Sequence, residues 1–103
     1  MKQDVFNQYA ERIAARFEVS REDLFTKTKK REVVDARQLL YYLCHKRPMR
    51  VHYIQKYMVE NGYDIKHSTI IHGINAVKQR IDEDADYLQV IRQLEKSVFV
   101  NQK

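Results

Sequence analysis

The chain has 103 residues, 44% hydrophobic and 32% charged, so it is long enough for one modest hydrophobic core and too short for two. Two Gly and one Pro argue against a β-sandwich, a β-barrel or a disordered chain, and favour long helices. A net charge of +5 favours an anionic partner. We therefore expect residues 1–103 to form one compact all-α domain.

Cysteine usage and hydropathy point to a protein of the cytoplasm. Cys44 is the only cysteine, which excludes an internal disulfide and a metal site built on paired cysteines, and its apolar surroundings suggest a core residue. No run approaches the roughly 18 apolar residues of a membrane-spanning helix. The first residues, Met1-Lys2-Gln3-Asp4, lack the apolar segment of a signal peptide. These features predict cytoplasmic localisation and no membrane partner.

Apolar residues recur at helical spacing along the chain, in five or six segments joined by short polar turns. The first helix is predicted over residues 4–17. Ser20, with Asp23 three residues later, resembles a capping box and opens a short helix that runs to Phe25. Residues 26–31 then form a basic connection.

A long helix is predicted over residues 32–47, and its wide apolar face indicates the central, most buried helix of the fold. Pro48 ends this helix, because proline restricts the preceding residue and lacks an N–H donor. The next helix spans residues 51–60 and ends at Asn61-Gly62, where glycine suits the left-handed conformation. Residues 63–66 form a turn.

A fifth helix is predicted over residues 67–81, and a last helix over residues 84–98 follows an acidic break at 82–86. The fifth helix has one apolar stripe that we expect to face the core: Ile70, Ile71, Ile74, Val77 and Ile81. Gly73 falls on the opposite side, which we expect to face solvent.

Positive charge is concentrated in one quarter of the chain. Residues 27–50 carry eight of the 19 Lys and Arg residues but only two acids, Glu32 and Asp35. A localised basic patch is typical of proteins that bind a phosphate backbone. A solvated basic helix has the same composition, so charge alone leaves both interpretations open.

Two segments have the pattern of a DNA-binding site. The helices over 51–60 and 67–81 form a candidate helix-turn-helix, in which the start of the second helix reads base edges in the major groove. That start offers short polar and basic side chains: Lys66, His67, Ser68 and Thr69. Ser68 and Thr69 could instead only cap the helix. The basic connection could bind phosphates or insert a cation into a minor groove, or it could be a solvated loop.

The sequence offers no pattern for catalysis or for a metal or cofactor. His67 and His72 are five residues apart, so they diverge around a helix. We find no Gly-rich phosphate loop, no nucleophile elbow and no HExxH motif. Tyr41 and Tyr42 could stack on single-stranded bases, although core packing is the commoner role. We expect neither an enzyme nor a bound cofactor.

Three segments, in this order, resemble the C-terminal DNA-binding domain of the bacterial replication initiator DnaA. They are residues 19–24 (VSREDL), 26–38 (TKTKKREVVDARQ) and 67–73 (HSTIIHG). The resemblance covers about residues 3–95. It implies a fold like that of the DnaA domain and the Trp repressor, five to six helices with a helix-turn-helix, and double-stranded DNA as the partner in replication or transcription control.

The resemblance also implies roles for single residues. The basic connection would enter the minor groove, with Lys29 in the place of a base-reading arginine, and Arg37 would match an arginine that contacts the backbone. His67, Ser68 and Thr69 would match the residues that read the major groove. With the remaining basic residues added, the predicted DNA contacts are Lys27, Lys29, Lys30, Arg31, Arg37, Arg50, Lys66, His67, Ser68 and Thr69.

Three differences from the family's pattern concern sequence specificity more than duplex binding. Lys29 replaces an arginine and loses its planar fork. Lys66 replaces an aspartate that accepts a hydrogen bond from a base, and the turn over 60–66 is longer than the family's Gly-Gly turn. The chain has no Walker motif, so no nucleotide is expected. The alternative function is a helical adaptor that keeps this fold and docks on a replication or transcription protein.

Overall fold

The computed structural model describes residues 2–98, and this part of the chain consists of six helices with no strand. In chain order they are α1 (Lys2–Phe17), α2 (Arg21–Leu24), α3 (Arg31–Lys46), α4 (Val51–Glu60), α5 (His67–Glu83) and α6 (Ala85–Ser97). The predicted all-α fold is confirmed, and each helix ends within two residues of its predicted bounds. No helix among the described residues has the length and apolar content needed to cross a bilayer.

The predicted capping box at α2 is present. The Ser20 hydroxyl accepts a hydrogen bond from the Asp23 N–H at 3.0 Å, and the Ser20 N–H donates to the Asp23 carboxylate at 3.3 Å. The chain reverses just before it, where Glu18 has a φ of 57°. The cap therefore fixes the start of α2 and, with it, the point from which the basic connection leaves.

Helix α3 is the centre of the fold, as its apolar face predicted. It packs against α1, α2, α4 and α5. Its buried apolar residues are Val33, Ala36, Leu39, Leu40, Tyr41, Leu43 and Cys44. Burial raises the pKa of the Cys44 thiol, which keeps it protonated and unreactive. The two ends of α3 are therefore held at fixed positions in the molecule.

One hydrophobic core joins all six helices. Phe6 of α1 is fully buried in it, with its ring 5.4 Å from that of Tyr57 in α4 and 6.2 Å from that of Phe25 after α2. Ile91 and Leu94 bring α6 into the same core. Because the core is shared, the loops between the helices are anchored at both ends.

The predicted orientation of α5 was wrong at two positions. Ile71 is 46% exposed, whereas Gly73 is buried against α3. A Cβ on Gly73 would lie 2.9 Å from Cδ2 of Tyr41 and 3.2 Å from Cγ of Gln38. The apolar pattern alone grouped Ile71 with the buried isoleucines of α5. The side of α5 that faces α3 is set instead by the close contact at position 73, which requires glycine.

We expect Gly73→Ala to lower the free energy of unfolding by about 1 kcal/mol. Alanine gains about 1 kcal/mol in helix propensity, but overpacking against a buried ring costs about 1–3 kcal/mol. Urea denaturation measures the net change, with Asn75→Ala on the exposed side of α5 as the control. If Gly73→Ala instead stabilises the protein by about 1 kcal/mol, position 73 does not lie in close contact with the Tyr41 ring.

Candidate nucleic-acid interface

The basic loop, residues 27–30, connects α2 to α3 without regular structure. Lys27, Lys29 and Lys30 are exposed, and so is Arg31, the first residue of α3. The Thr28 hydroxyl accepts a hydrogen bond from the Lys30 N–H at 3.3 Å, which tightens the end of the loop. Within residues 2–98 none of these four cations forms an ion pair. The loop thus presents uncompensated positive charge to solvent.

Arg37 lies beneath this loop and is only 6% exposed. Its Nε donates to the carbonyl of Leu24 at 2.9 Å, and its Nη2 donates to the carbonyls of Thr26 at 2.8 Å and Asp23 at 3.4 Å. The sequence grouped Arg37 with the phosphate contacts, and in the structure its Nε and Nη2 donate to the segment leading into the basic loop. Arg37 therefore positions the loop.

The turn between α4 and α5 packs onto the same arginine. The guanidinium carbon of Arg37 lies 4.6 Å from the centre of the Tyr63 ring, within cation–π range. The turn is itself anchored, because Ile65 is buried in the core and its carbonyl accepts a hydrogen bond from Gln55 Nε2 at 2.7 Å. Gly62, with a φ of 95°, supplies the predicted left-handed stop of α4. The turn between α4 and α5 is therefore an ordered part of the candidate site.

The start of α5 leaves its polar groups free. Its N-cap is Lys66, which makes no side-chain capping bond. The hydroxyls of Ser68 and Thr69 are exposed and form no hydrogen bond within residues 2–98. Neither side chain therefore serves as a helix cap, which was the alternative that the sequence left open. His67 is exposed beside them.

Cations begin three of the helices. The N-caps of α3, α4 and α5 are Lys30, Arg50 and Lys66, and none of them makes a side-chain capping bond. By contrast, Ser20 and Asp84 cap α2 and α6 with their side-chain oxygens. A cation is unfavourable at the positive end of a helix dipole, whereas an anion is stabilised there. These three helix starts therefore lack the stabilisation that a side-chain cap gives.

A small cavity of about 70 Å³ separates α3 from the start of α5. Its walls are formed by Val34, Arg37, Gln38, Tyr41, Tyr63, Thr69 and His72. The guanidinium of Arg37 has no carboxylate partner in the described part of the chain. Burial raises the pKa of the Tyr41 hydroxyl, so this group stays neutral and does not compensate the arginine. The charge of Arg37 therefore borders the cavity without an acidic partner among the described residues.

The structure brings most of the predicted contacts together. The basic loop and the start of α5 meet through Arg37, Tyr63 and the cavity. Arg50 is separate, since it lies beyond the opposite end of α3. Tyr63 and His72 were not among the predicted contacts, although both line the cavity. The available signal for Tyr63 was an aromatic residue two positions before a buried isoleucine, within a polar turn.

We expect Arg37→Lys to loosen the basic loop, because lysine keeps the charge but its single nitrogen cannot occupy the positions of both Nε and Nη2, from which the arginine donates to the three carbonyls. The free energy of unfolding should fall by about 2 kcal/mol. Trypsin should cut within residues 27–31 faster than in the unaltered chain, with exposed Arg12→Lys as the control. Unchanged stability and unchanged cleavage would contradict the positioning role of Arg37.

Comparison with known proteins identifies a family for this chain. The sequence model of the bacterial DnaA protein helix-turn-helix matches residues 8–77. That span includes the basic loop, Arg37, α4 and the start of α5. No curated protein and no solved structure matches the chain. Because the match covers well over half of its length, the chain belongs to the bacterial DnaA helix-turn-helix family, a family of DNA-binding domains and not of enzymes.

Proposed function

We propose that the protein binds double-stranded DNA in the control of replication or transcription, with the basic loop at the minor groove and the start of α5 in the major groove. One observation carries this proposal: Arg37 and Tyr63 hold the basic loop and the turn before α5 against each other. Two elements fixed in this way can engage adjacent grooves of one duplex without reordering.

The basic loop supplies the DNA contacts that do not depend on base sequence. Lys27, Lys30 and Arg31 are exposed and form no ion pair with any described residue, which suits them to neutralise phosphates and release counterions. Lys29, in the middle of the loop, is the cation that enters the minor groove, where a narrow groove strengthens the negative potential. The Lys30 N-cap adds the free amides at the start of α3.

The start of α5 supplies the base contacts. Lys66 and His67 can donate to acceptors on base edges, and the free Ser68 hydroxyl can donate or accept. Ile71 lies one turn after Ser68 and is exposed, so an apolar contact with a thymine methyl group extends the same surface. Lys66 in place of an acceptor favours guanine, whose O6 and N7 both accept hydrogen bonds.

Thr69 takes a different partner in this proposal from the one that the sequence suggested. It lines the cavity with Arg37 and His72, on the side of α5 that faces α3. One backbone phosphate in the mouth of this cavity would meet the Thr69 hydroxyl, the His72 ring and the uncompensated charge of Arg37. The phosphate would thereby fix α5 in register with the base pairs.

The affinity for duplex DNA should fall with salt, with a slope of log K against log salt of roughly −4 to −5 for about five neutralised phosphates. Lys27→Gln with Lys30→Gln should make that slope shallower by about 2. Fluorescence anisotropy across a salt series measures it. The control is Arg12→Gln with Arg16→Gln, which removes the same charge from exposed positions of α1.

A slope near zero for the unaltered protein would contradict the phosphate contacts. If the loop variant and the control make the salt slope shallower by the same amount, the affinity depends on net charge and not on the position of these lysines. No binding of any duplex at low salt would favour the adaptor over the DNA-binding protein.

Ser68→Ala and Thr69→Ala should have different effects. On a sequence selected from a random pool, Ser68→Ala should cost about 1–2 kcal/mol and reduce the preference over random duplex, because a base contact is lost. Thr69→Ala should weaken binding to both duplexes by the same factor, because a phosphate contact carries no sequence information. If Thr69→Ala also reduces the preference, Thr69 contacts a base.

A further inference from the structure

We propose that Arg80 is a positioning residue for the DNA interface, and that α6 acts on this interface through Arg80. Nη2 of Arg80 donates to Oε1 of Gln38 at 3.3 Å, and Gln38 lines the cavity whose mouth is the proposed phosphate site. This inference rests on the proposed DNA binding. It extends the site to Arg80 and Tyr87, which lie outside the residues 8–77 that match the family.

The contact with Arg80 decides which end of the Gln38 amide is free. A guanidinium only donates hydrogen bonds, so its partner on the amide is the oxygen and not the nitrogen. Nε2 of Gln38 forms no hydrogen bond within residues 2–98. In this orientation Gln38 offers a phosphate oxygen a free donor, whereas a flipped amide would present its own carbonyl oxygen.

Helix α5 holds the Gln38 side chain at a second point. A Cβ on Gly73 would lie 3.2 Å from Cγ of Gln38, so the stem of this side chain packs against the backbone of α5. Arg80 holds the tip from about two turns further along the same helix. Because both stem and oxygen are fixed, less entropy is lost when Nε2 binds a ligand.

The charge of Arg80 is already compensated. Its Nη2 lies 3.5 Å from Oδ1 of Asp35, in an ion pair whose side chains are 29% and 27% exposed. In the described part of the chain, the cations of the basic loop have no such partner. Arg80 is therefore better suited to orient a neutral amide than to neutralise a phosphate itself.

Helix α6 holds the other side of the Arg80 guanidinium. Nη1 of Arg80 donates to the Tyr87 hydroxyl at 3.4 Å, and the guanidinium carbon lies 5.5 Å from the centre of the Tyr87 ring, within cation–π range. Tyr87 stands in the first turn of α6, whose start is capped by Asp84. The hydrogen bonds of Arg80 are all long, at 3.3–3.5 Å, so no single contact fixes the guanidinium and the one from α6 contributes to its position.

The test is a double-mutant cycle on DNA affinity between Arg80→Met and Gln38→Ala. Arg80→Met should weaken binding to the selected duplex and to random duplex alike, by about fivefold, because Gln38 no longer presents a fixed donor to a phosphate. In a Gln38→Ala background the same change should have no further effect. The control Lys78→Met removes the same charge from an exposed position of α5, and any effect it has should be equal in both backgrounds.

The salt dependence separates positioning from direct contact. Arg80→Met should leave the slope of log K against log salt unchanged, because no phosphate loses a neutralising cation. A slope shallower by about 1 would mean that Arg80 contacts a phosphate directly, and would overturn the positioning role. Unchanged affinity of Arg80→Met overturns it too, as does an equal loss of affinity with and without Gln38.

Two further variants complete the test. Arg80→Lys keeps one donor and serves if Arg80→Met impairs folding; it should weaken binding less than Arg80→Met, and only when Gln38 is present. Tyr87→Leu removes the contact from α6 and should weaken binding by about twofold, with no added effect on Arg80→Met. Unchanged affinity of Tyr87→Leu rejects the link to α6.

The basic-loop variant, Lys27→Gln with Lys30→Gln, distinguishes failure of this inference from failure of the proposed function. If it makes the salt slope shallower while the effects of Arg80→Met and Gln38→Ala simply add, DNA binding stands and only the role of Arg80 is rejected. If the unaltered protein binds no duplex at low salt, both proposals fail.

Discussion

The guanidinium of Arg37 is the interaction on which the candidate site depends. It donates to carbonyls of the segment before the basic loop and lies under Tyr63 of the turn before α5. A buried charge is costly unless it is well hydrogen-bonded and paired, and the described chain supplies the hydrogen bonds without an acidic partner. The cavity beside Arg37 leaves room for that partner. The proposed phosphate would supply the negative charge that the buried Arg37 guanidinium lacks within the described chain.

The same preference for an external anion recurs at the helix starts. Asp, Ser, Thr or Asn at an N-cap stabilises a helix by about 1 kcal/mol relative to an uncapped start. The chain uses such caps at α2 and α6, yet places Lys30, Arg50 and Lys66 at α3, α4 and α5. Stability is thus forgone at three positions, and two of them, Lys30 and Lys66, lie in the basic loop and at the start of α5, where the duplex contacts are proposed.

Features set by local sequence were predictable. The helices followed from apolar spacing, the capping box from Ser20 and Asp23, and the end of α4 from Gly62, because each depends on residues close in the chain. The burial of Arg37 was not predictable, since its carbonyl partners lie 11 to 14 residues away. The orientation of Ile71 and Gly73 was wrong because it depends on how closely α3 and α5 approach. The family resemblance located the basic loop and α5, but not the arginine–tyrosine contact that joins them.

Hydroxyl-radical footprinting of the complex on a selected duplex tests most directly the claim that the basic loop and α5 act as one DNA-binding surface. The reagent attacks sugars from the minor groove. The account predicts protection of one minor-groove segment about half a helical turn, roughly 5 base pairs, from the bases that determine sequence preference. Protection that is absent, or that is spread evenly along the duplex, would contradict it.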